Sequence, residues 1–448
     1  MNTPICDFVA KYAKSGKQRM HMPGHKGARF IGVEELDVTE ITGADSLYHA
    51  NGIIRESEEN AGKLFGAHTF YSTEGSSLCI RAMLYLAKAY AREKGVKCRI
   101  LAGRNCHKSF ISAVALLDID VDWLYKNQNG SYLSCPIDGK GLDEALSKLD
   151  TPPVAVYLTS PDYLGNLLKI DEISSVCKKY GTLLLVDNAH GAYTRFLSPS
   201  EHPISLGADL CADSAHKTLP ALTGSAYLHV RFDSPGRLIK CAKEALSLFG
   251  STSPSYLILQ SLDKLNAYIS DGYSAKLKDF IAEINKVKER LTEVGYTFFG
   301  NEKLKITIKT KPYGYDGVEL MRIMERKGIV CEFSDPDHVV LMPTVETKAS
   351  GLQRLEEVLR SIPKRKSIKE SALEFKMPER IISVREALFS ETETVEISDA
   401  IDKVFCDFNV GCPPAVSVLV PGERITEDSA LALKYYGFNR VRVVKDKK

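Results

Sequence analysis

Residues 154–187 read VAVYLTSPDYLGNLLKIDEISSVCKKYGTLLLVD and place a helical pattern between two short apolar runs. Val154–Thr159 and Thr182–Val186 are nearly continuous apolar runs, which is typical of strands covered on both faces. Between them, Ile170–Tyr180 has the pattern and the length of a helix. This stretch therefore predicts a strand–helix–strand unit of a parallel sheet, with the acid Asp187 at the end of its second strand.

The same alternation of strand and helix extends over about residues 66–230. The other predicted helices here are Ser76–Lys94, Ser109–Leu117 and Gly141–Lys148, and the other predicted strands are Lys97–Ala102, Val121–Tyr125, Asp209–Ala212 and Gly224–Val230. Alternation of this kind predicts an α/β fold with a mostly parallel sheet and helices on both faces. A ligand is then expected at the carboxyl ends of the strands.

The remainder of the chain predicts a second, smaller α/β region. After the strongly helical stretch Ser255–Val294, the predicted strands are Lys305–Thr310, Gly328–Phe333, His338–Met342 and Arg440–Val444, and the predicted helices are Val318–Lys327 and Leu352–Ser361. We expect an N-terminal arm over residues 1–48, a large domain over residues 49–290 and a C-terminal α/β region over residues 291–448. A sub-boundary is expected near residues 364–380, which are charged and poor in strand-forming residues.

Composition excludes several classes of protein. The 448 residues are 44% hydrophobic and 26% charged, and the formal net charge is +2, so no strong field directs the chain to nucleic acid or to an acidic membrane. The first residues lack a signal peptide pattern, and no run approaches the roughly 18 apolar residues of a membrane helix. The eleven cysteines include no Cys-x-x-Cys pair, so we expect a reduced, cytoplasmic setting.

Two successive strand ends carry reactive side chains. Asp187-Asn188-Ala189-His190 follows one predicted strand, and Asp213-Ser214-Ala215-His216-Lys217 follows another. A pyridoxal 5'-phosphate site needs a lysine that binds the cofactor and an acid that keeps the pyridine nitrogen protonated. It also needs hydroxyls and N–H groups at a helix start for the phosphate, which Gly75-Ser76-Ser77 supplies. Each signal is weak alone, since a strand-end Asp is commonly a cap or turn residue, but their order indicates this cofactor.

Longer motifs resemble those of the Orn/Lys/Arg decarboxylase family over most of the chain. They are Met22–Gly27 (MPGHKG), Asp37–Glu40, Gly43–Leu47, Phe65–Ala67, Arg104–Ser109 (RNCHKS), Ser160–Asn166 (SPDYLGN), Ser251–Tyr256 (STSPSY), Pro413-Pro414 and Val420–Glu423 (VPGE). The resemblance implies the aspartate-aminotransferase-type fold (fold type I) with a seven-stranded sheet, in the short form without an extra N-terminal domain. It implies decarboxylation of arginine, lysine or ornithine to the amine and carbon dioxide, in polyamine biosynthesis.

The resemblance also implies roles for individual residues. Lys217 matches the Schiff-base lysine, Asp187 the partner of the pyridine nitrogen, and His107 the histidine that stacks on the ring. The further cofactor contacts that it implies are Ser76, Ser77, Ser214, His216, His190 and, for the phosphate of a partner subunit, Thr252. A homodimer or a dimer of dimers is expected, because this fold type completes its site across a two-fold interface.

The roles of three further residues stay open at this point. Glu423 is a candidate for binding the cationic end of a substrate, or it is a helix-start acid that the helix dipole stabilises. His25 and Lys26 face the ligand or anchor the N-terminal arm. Scattered histidines and cysteines predict no metal site, since His21 and His25 lie in a Pro-Gly segment that should not be helical.

Some positions depart from the family pattern, and two other functions remain open. Asn188 stands where the family usually has Glu, Ser72–Gly75 differs from the usual Asn-Gly start of the phosphate loop, and Ala415 and Ser417 replace the expected Gly and Pro. These departures leave the choice of substrate in doubt. One alternative is another pyridoxal-phosphate reaction, such as transamination or β-elimination, for which the arginines Arg424 and Arg440 are candidate carboxylate clamps. The other is a non-catalytic relative.

Overall fold

The computed structural model of the chain describes residues 1–124, 131–369, 376–407 and 414–445. These residues divide into two compact units. The first unit consists of Met1–Cys98, Val154–Val156 and Ile170–Leu277, and the second consists of Arg99–Pro153, Tyr157–Lys169 and Lys278–Lys448. The boundaries expected from the sequence at residues 48 and 290 stay predictions.

The bounds of the α-helices, in chain order, are α1 (Pro4–Ala13), α2 (Ile53–Phe65), α3 (Gly75–Glu93), α4 (Lys108–Leu117), α5 (Gly139–Ser147), α6 (Ile170–Tyr180), α7 (Ala215–Thr218), α8 (Gly236–Lys240), α9 (Ala242–Phe249), α10 (Tyr256–Ser270), α11 (Tyr273–Glu293), α12 (Gly317–Arg326), α13 (Lys348–Arg360), α14 (Val384–Phe389) and α15 (Glu427–Tyr435). The strands are β1 (His68–Ser72), β2 (Arg99–Gly103), β3 (Asp120–Leu124), β4 (Ala155–Thr159), β5 (Leu183–Asp187), β6 (Leu210–Asp213), β7 (Ala226–Val230), β8 (Thr297–Phe299), β9 (Ile306–Lys309), β10 (Phe333–Ser334), β11 (His338–Leu341), β12 (Thr392–Glu396) and β13 (Arg440–Val444).

The main sheet has seven strands in the order β1-β7-β6-β5-β4-β2-β3. β5 runs parallel to β6 and β2 runs parallel to β3, whereas β7 is antiparallel to both β6 and β1. The expected α/β fold with a mostly parallel, seven-stranded sheet is therefore confirmed. The sequence did not reveal β1, because His68–Ser72 mixes polar and aromatic residues and lacks the continuous apolar run of the central strands.

In the first unit, burial explains why the central strands are apolar throughout. Every residue of β5, β6 and β7 is buried. Helix α3 packs on β6 and β7, and helix α2 packs on β1. Because β5 and β6 are parallel neighbours, with Asp187 opposite Ala212, the segments that leave their carboxyl ends start side by side.

The second unit contains two smaller sheets. One has the order β10-β11-β9-β8 with antiparallel pairs, and the other pairs β12 with β13 around a core that includes Phe405, Leu433 and Val443. The predicted strand Gly328–Phe333 is wrong. Helix α12 ends at Arg326, Gly328 has a positive φ of 85°, and Val330 is 84% exposed, so this apolar stretch forms a helix-ending turn and only Phe333 enters a strand.

Three further observations concern the segment after α13, the cysteines and the length of the helices. Within the described ranges, residues 364–369 and 376–379 form no helix or strand, and the described cysteines are free thiols. Cys412 and Pro413 lie outside the described residues. Among the residues that the structure describes, no helix is long and apolar enough to cross a membrane.

Candidate active site

Lys217 and His190 meet at the ends of two parallel strands. Strand β6 continues through Ser214 into the short helix α7, which carries Lys217, and strand β5 continues through Asp187 to His190. The Nζ atom of Lys217 lies 3.0 Å from Nε2 of His190. His190 is buried and Lys217 is half-buried, so the amine is held in place while it stays partly accessible.

Asp187 is the last residue of β5 and is only 2% exposed. Its Oδ1 accepts a hydrogen bond of 3.1 Å from the backbone N–H of Ala189. This bond orients the carboxylate on the turn that leads to His190. The turn role and the cofactor role of Asp187 are therefore compatible, and the structure places this acid on the strand beside the one that leads to Lys217.

The predicted phosphate-binding hydroxyls also come together in the first unit. The Oγ of Ser214 donates to the Oγ of Ser76 over 2.8 Å, and both side chains are buried. Ser76 and Ser77 lie in the first turn of α3, a helix of 19 residues whose N-cap residue Glu74 makes no side-chain capping bond. An uncapped helix start presents backbone N–H groups and the positive end of the dipole, which suits a phosphate dianion.

Glycine at position 224 keeps this helix start in position. The N–H of Gly75 donates to the carbonyl of Gly224 over 2.8 Å. Gly224 has a φ of 97°, and a Cβ atom there would lie 2.9 Å from the carbonyl oxygen of Thr73. Both facts require glycine, because other residues rarely adopt this φ and the backbones approach too closely for a side chain.

Two buried hydroxyl groups near Lys217 indicate whether the site can accommodate pyridoxal phosphate. The Oγ1 of Thr218 and the Oγ of Ser225 are buried and, within the described part of the chain, have no hydrogen-bond partner. Next to them, Nδ1 of His216 donates to the carbonyl of Ser225 over 2.9 Å, and burial lowers the pKa of His216. Unsatisfied buried donors beside a lysine are the groups that a bound polar cofactor would satisfy. The residues present therefore fit this cofactor.

His107 and Thr252 keep their roles as predictions. His107 lies in the second unit as the N-cap of α4, where its Nδ1 accepts the Ser109 N–H over 3.1 Å, so that Nε2 carries the ring proton. Its backbone pairs with Val416, in a segment close to the departures at Ala415 and Ser417. Thr252 is exposed in the loop between α9 and α10.

Glu423 forms a buried ion pair that the sequence did not predict. Its Oε2 accepts bonds of 2.6 Å from Nη2 of Arg104 and from the N–H of Val420, and both charged side chains are less than 10% exposed. Burial raises the pKa of Glu423, although Arg104 opposes this. The helix-start interpretation is wrong, because α15 begins only at Glu427. Binding of a substrate cation by Glu423 stays a prediction, and such a cation would have to compete with Arg104 for the Glu423 carboxylate.

Replacing Arg104 with Ala should lower the free energy of unfolding by about 3–5 kcal/mol, because it leaves the Glu423 carboxylate buried without its cation. Urea unfolding measures this change. The matched control is Arg424→Ala in the same unit, since its ion pair with Glu379 is exposed and should be worth about 0–1 kcal/mol. Adding Glu423→Gln to Arg104→Ala should recover part of the loss, and equal effects of Arg104→Ala and Arg424→Ala would contradict this account.

The N-terminal motif makes contacts within its own segment. The Nε2 of His25 lies 3.2 Å from Oδ2 of Asp37, and Nζ of Lys26 donates to the carbonyl of His21. The N–H of Gly27 donates to Nδ1 of His25 over 3.0 Å. These contacts favour the anchoring interpretation of both residues.

The two arginines that a transaminase would use to bind a substrate carboxylate form ion pairs with glutamates instead. Arg424 pairs with Glu379 over 3.0 Å, and Arg440 pairs with Glu396 over 3.2 Å. The Arg440 pair is more than half exposed, as is usual for a surface ion pair. Neither arginine therefore has the character of a buried carboxylate clamp.

A lysine and an acid at adjacent strand ends of a seven-stranded α/β sheet, beside an uncapped helix start, define a fold type I pyridoxal-phosphate enzyme. The family model for the Orn/Lys/Arg decarboxylase major domain matches residues 3–313, and that for its C-terminal domain matches residues 369–443. The chain belongs to the Orn/Lys/Arg decarboxylase family. It is a pyridoxal-phosphate-dependent decarboxylase, a carboxy-lyase.

Individual relatives match nearly the whole chain. The chain is 30% identical to the uncharacterized protein YaaO of Bacillus subtilis, over 97% of this chain and 94% of that protein. It is 27% identical to an arginine decarboxylase of Bacillus anthracis, over 95% and 91% of the two chains. Among solved structures, lysine decarboxylase A from Pseudomonas aeruginosa superposes with a TM-score of 0.80 at 17% identity, over 99% of this chain and 80% of that one, and so shares the fold.

Proposed function

We propose that this enzyme decarboxylates a basic L-amino acid, with arginine as the preferred substrate, and releases carbon dioxide and the corresponding amine. The observation that carries the proposal is the contact between Lys217 Nζ and His190 Nε2 beside the strand end at Asp187, in a chain of this family. When bound, pyridoxal phosphate supplies the electron sink for loss of the α-carboxylate.

The chain's own residues then have distinct tasks. Lys217 holds the cofactor covalently and moves protons at its Nζ. His190 orients that amine, and its Nε2 shares a proton with Nζ across 3.0 Å. The Asp187 carboxylate stabilises a positive charge at the pyridine nitrogen, because opposite charges at close range favour the protonated form. Ser76, Ser214 and the start of α3 bind the phosphate.

Arginine is proposed as the substrate because the 27% identical relative from Bacillus anthracis bears that name, and it covers almost the whole chain. The expected result is that the holoenzyme releases carbon dioxide from L-arginine with a kcat/KM at least about tenfold above that for L-lysine or L-ornithine. The physical reason is that a site built to bind the planar guanidinium fork leaves polar groups unpaired with an ammonium. Parallel assays on the three amino acids measure this ratio, with Lys217→Ala as the background control. A tenfold higher kcat/KM for lysine than for arginine would contradict the proposal and identify lysine as the substrate.

We also propose that the enzyme is a homodimer or a dimer of dimers that acts in polyamine biosynthesis in the cytoplasm. The exposed loop at Thr252, between α9 and α10, is the part of this chain proposed to reach the cofactor phosphate of the partner subunit. Closed two-fold symmetry is the common solution for sites shared between identical subunits.

A further inference from the structure

A buried cluster of polar side chains surrounds Asp213, the last residue of β6. The Oδ1 of Asp213 accepts from Nδ2 of Asn188 over 2.7 Å and from Sγ of Cys211 over 3.3 Å. Its Oδ2 is 3.0 Å from Nε2 of His202 and 3.3 Å from Nε2 of His229. Asp213 and both histidines are completely buried, and the proposed reaction uses none of these side chains.

Hydrogen bonds on the far sides of both imidazoles show how this cluster is charged. The N–H of Ile204 donates to Nδ1 of His202 over 3.3 Å, so the ring proton of His202 is on Nε2 and faces Asp213. The Nδ1 of His229 lies 2.9 Å from the hydroxyl of Thr69, and burial lowers the pKa of His229, although Asp213 opposes this. Both imidazoles therefore face the Asp213 carboxylate through Nε2, and this arrangement favours the ionised carboxylate. Burial opposes ionisation, but the two imidazoles hold the pKa of Asp213 well below its usual range.

The same side chains include the donor types of a metal site. Ligand atoms of His202, Cys211 and Asp213 lie within 4.8 Å of one another, and zinc accepts this combination. A metal-bound histidine, however, carries its proton on the other ring nitrogen and donates it to an acceptor. The Nδ1 of His202 instead faces the N–H donor of Ile204. The geometry thus fits a hydrogen-bonded carboxylate and does not fit a metal centre.

The Asp213 charge lies close to the acid assigned to the cofactor. Asp187 pairs with Ala212 on the neighbouring strand, and Asn188, which donates to Asp213, is the next residue after Asp187. Since side chains alternate along a strand, Asp187 and Asp213 point to opposite faces of the sheet. Two buried carboxylates therefore lie on adjacent strand ends, one on each face.

We propose that Asp213 is an electrostatic positioning residue, whose buried charge reinforces that of Asp187 and helps to keep the pyridine nitrogen of the cofactor protonated. The proposal rests on the assignment of Asp187 to that nitrogen. A charge behind the sheet acts through protein and not through water, so its field reaches the cofactor with little screening. Asn188 is part of the same arrangement, because an acid at position 188 would place its carboxylate in contact with that of Asp213.

The test uses the near-identical shape of Asp and Asn to move the carboxylate and the amide between positions 188 and 213. In Asp213→Asn the Oδ2 position still accepts from both histidines, and the amide of Asn188 can turn its unpaired Oδ1 toward the new Nδ2. The change removes the charge and the weak bond from Sγ of Cys211, and it keeps the shape of the side chain. The double variant Asn188→Asp/Asp213→Asn restores one carboxylate and one amide with the hydrogen bond between them reversed. Asp187→Asn serves as the reference for loss of the acid that faces the nitrogen.

Two measurements on the purified holoenzymes report on the cofactor without relying on turnover. One is the ¹⁵N NMR shift of cofactor labelled at its pyridine nitrogen, which distinguishes a protonated from an unprotonated ring. The other is cofactor affinity from titration of the apoenzyme. We expect Asp213→Asn to move the shift toward the unprotonated value and to weaken affinity on the order of tenfold, as expected for loss of one buried charge at intermediate distance. The double variant should recover both values.

The possible outcomes separate this inference from the proposed function. A wild-type shift and affinity in Asp213→Asn, together with a changed shift in Asp187→Asn, would overturn the role of Asp213 and leave that of Asp187 intact. An unchanged shift in Asp187→Asn would overturn the assignment on which both rest. Equal losses in Asp213→Asn and in the double variant would show that the hydrogen bonds of the Asp213 carboxylate, such as that from Cys211, account for the effect and that its charge does not, which would overturn the proposal. Stoichiometric zinc in the wild-type protein, absent from Asp213→Asn, would replace the inference with a metal site.

Discussion

Replacing Lys217 with Ala is expected to lower the rate of decarboxylation by a factor on the order of 10⁴ or more, and to remove the visible absorption of the lysine-bound cofactor. Lys217 is the residue that we propose attaches the cofactor, and its Nζ lies 3.0 Å from Nε2 of His190. Without this amine, the cofactor binds only through its phosphate and ring contacts, and the proton transfers at Nζ are lost. The measurements are carbon dioxide release under saturating cofactor and the absorption spectrum before and after borohydride.

A second lysine provides the matched control for this experiment. Lys264 is exposed on α10, and Lys264→Ala should leave both the rate and the spectrum unchanged. Circular dichroism of Lys217→Ala should match that of the wild type, since Lys217 lies on a short helix and is only half-buried. Retention of the rate and of a borohydride-sensitive band in Lys217→Ala would mean that another lysine carries the cofactor.

Replacing Asp187 with Asn is expected to lower kcat by about 10²–10³-fold, the usual cost of removing one preorganised charge that stabilises the transition state. The amide oxygen of Asn can still accept the Ala189 N–H, so the turn after β5 should keep its structure. The variant would lose the negative charge that we propose stabilises the protonated pyridine nitrogen, and the ring would then withdraw electrons less strongly. Steady-state kinetics at saturating cofactor measure the effect.

The control for this charge removal is Asp171→Asn. Asp171 lies exposed in the first turn of α6, where loss of its charge should change kcat by less than about twofold, because exposed charges are screened by solvent. A kcat for Asp187→Asn within the same narrow range would show that this acid serves only the turn. In that case the structural role of its bond to Ala189 would be sufficient to explain its burial.

Much of the first unit could be predicted from the sequence because local signals and tertiary packing agree there. Helix α6 has the predicted bounds, and β5 differs from the prediction by a single residue at each end. The buried central strands have continuous apolar runs, and a strand buried on both faces needs them. The positions of Asp187 and Lys217 after such strands then followed from the rule that active residues gather at carboxyl strand ends.

Contacts between residues far apart in the sequence could not be predicted in this way. Arg104 and Glu423 are separated by 319 positions, and no local pattern pairs them. The sequence did contain a signal, since each lies in a motif of the family, but only folding shows that the two motifs meet. The wrong strand at Gly328–Phe333 has a related cause, because an apolar run is equally compatible with a strand and with an exposed turn.

Asn188 illustrates how tertiary structure changes the meaning of a residue. In the sequence it is a departure from the family pattern that leaves the choice of substrate in doubt. In the structure its amide donates to Asp213, which also contacts His202 and His229 on other segments of the first unit. The contact with the buried Asp213 carboxylate therefore gives a structural reason for an amide at position 188.

The sequence by itself determined the α/β class, the order of the central strands and helices, the cofactor and the residues at the strand ends, because hydrophobic periodicity and short motifs are local properties. Only the tertiary structure decided the antiparallel position of β1, the ion pair of Arg104 with Glu423, and the ionised state of Asp213. Each of these depends on burial and on partners from distant segments. These partners determine whether a buried charge or the backbone of an edge strand is hydrogen-bonded and therefore stable. The chain brings them together only when it folds.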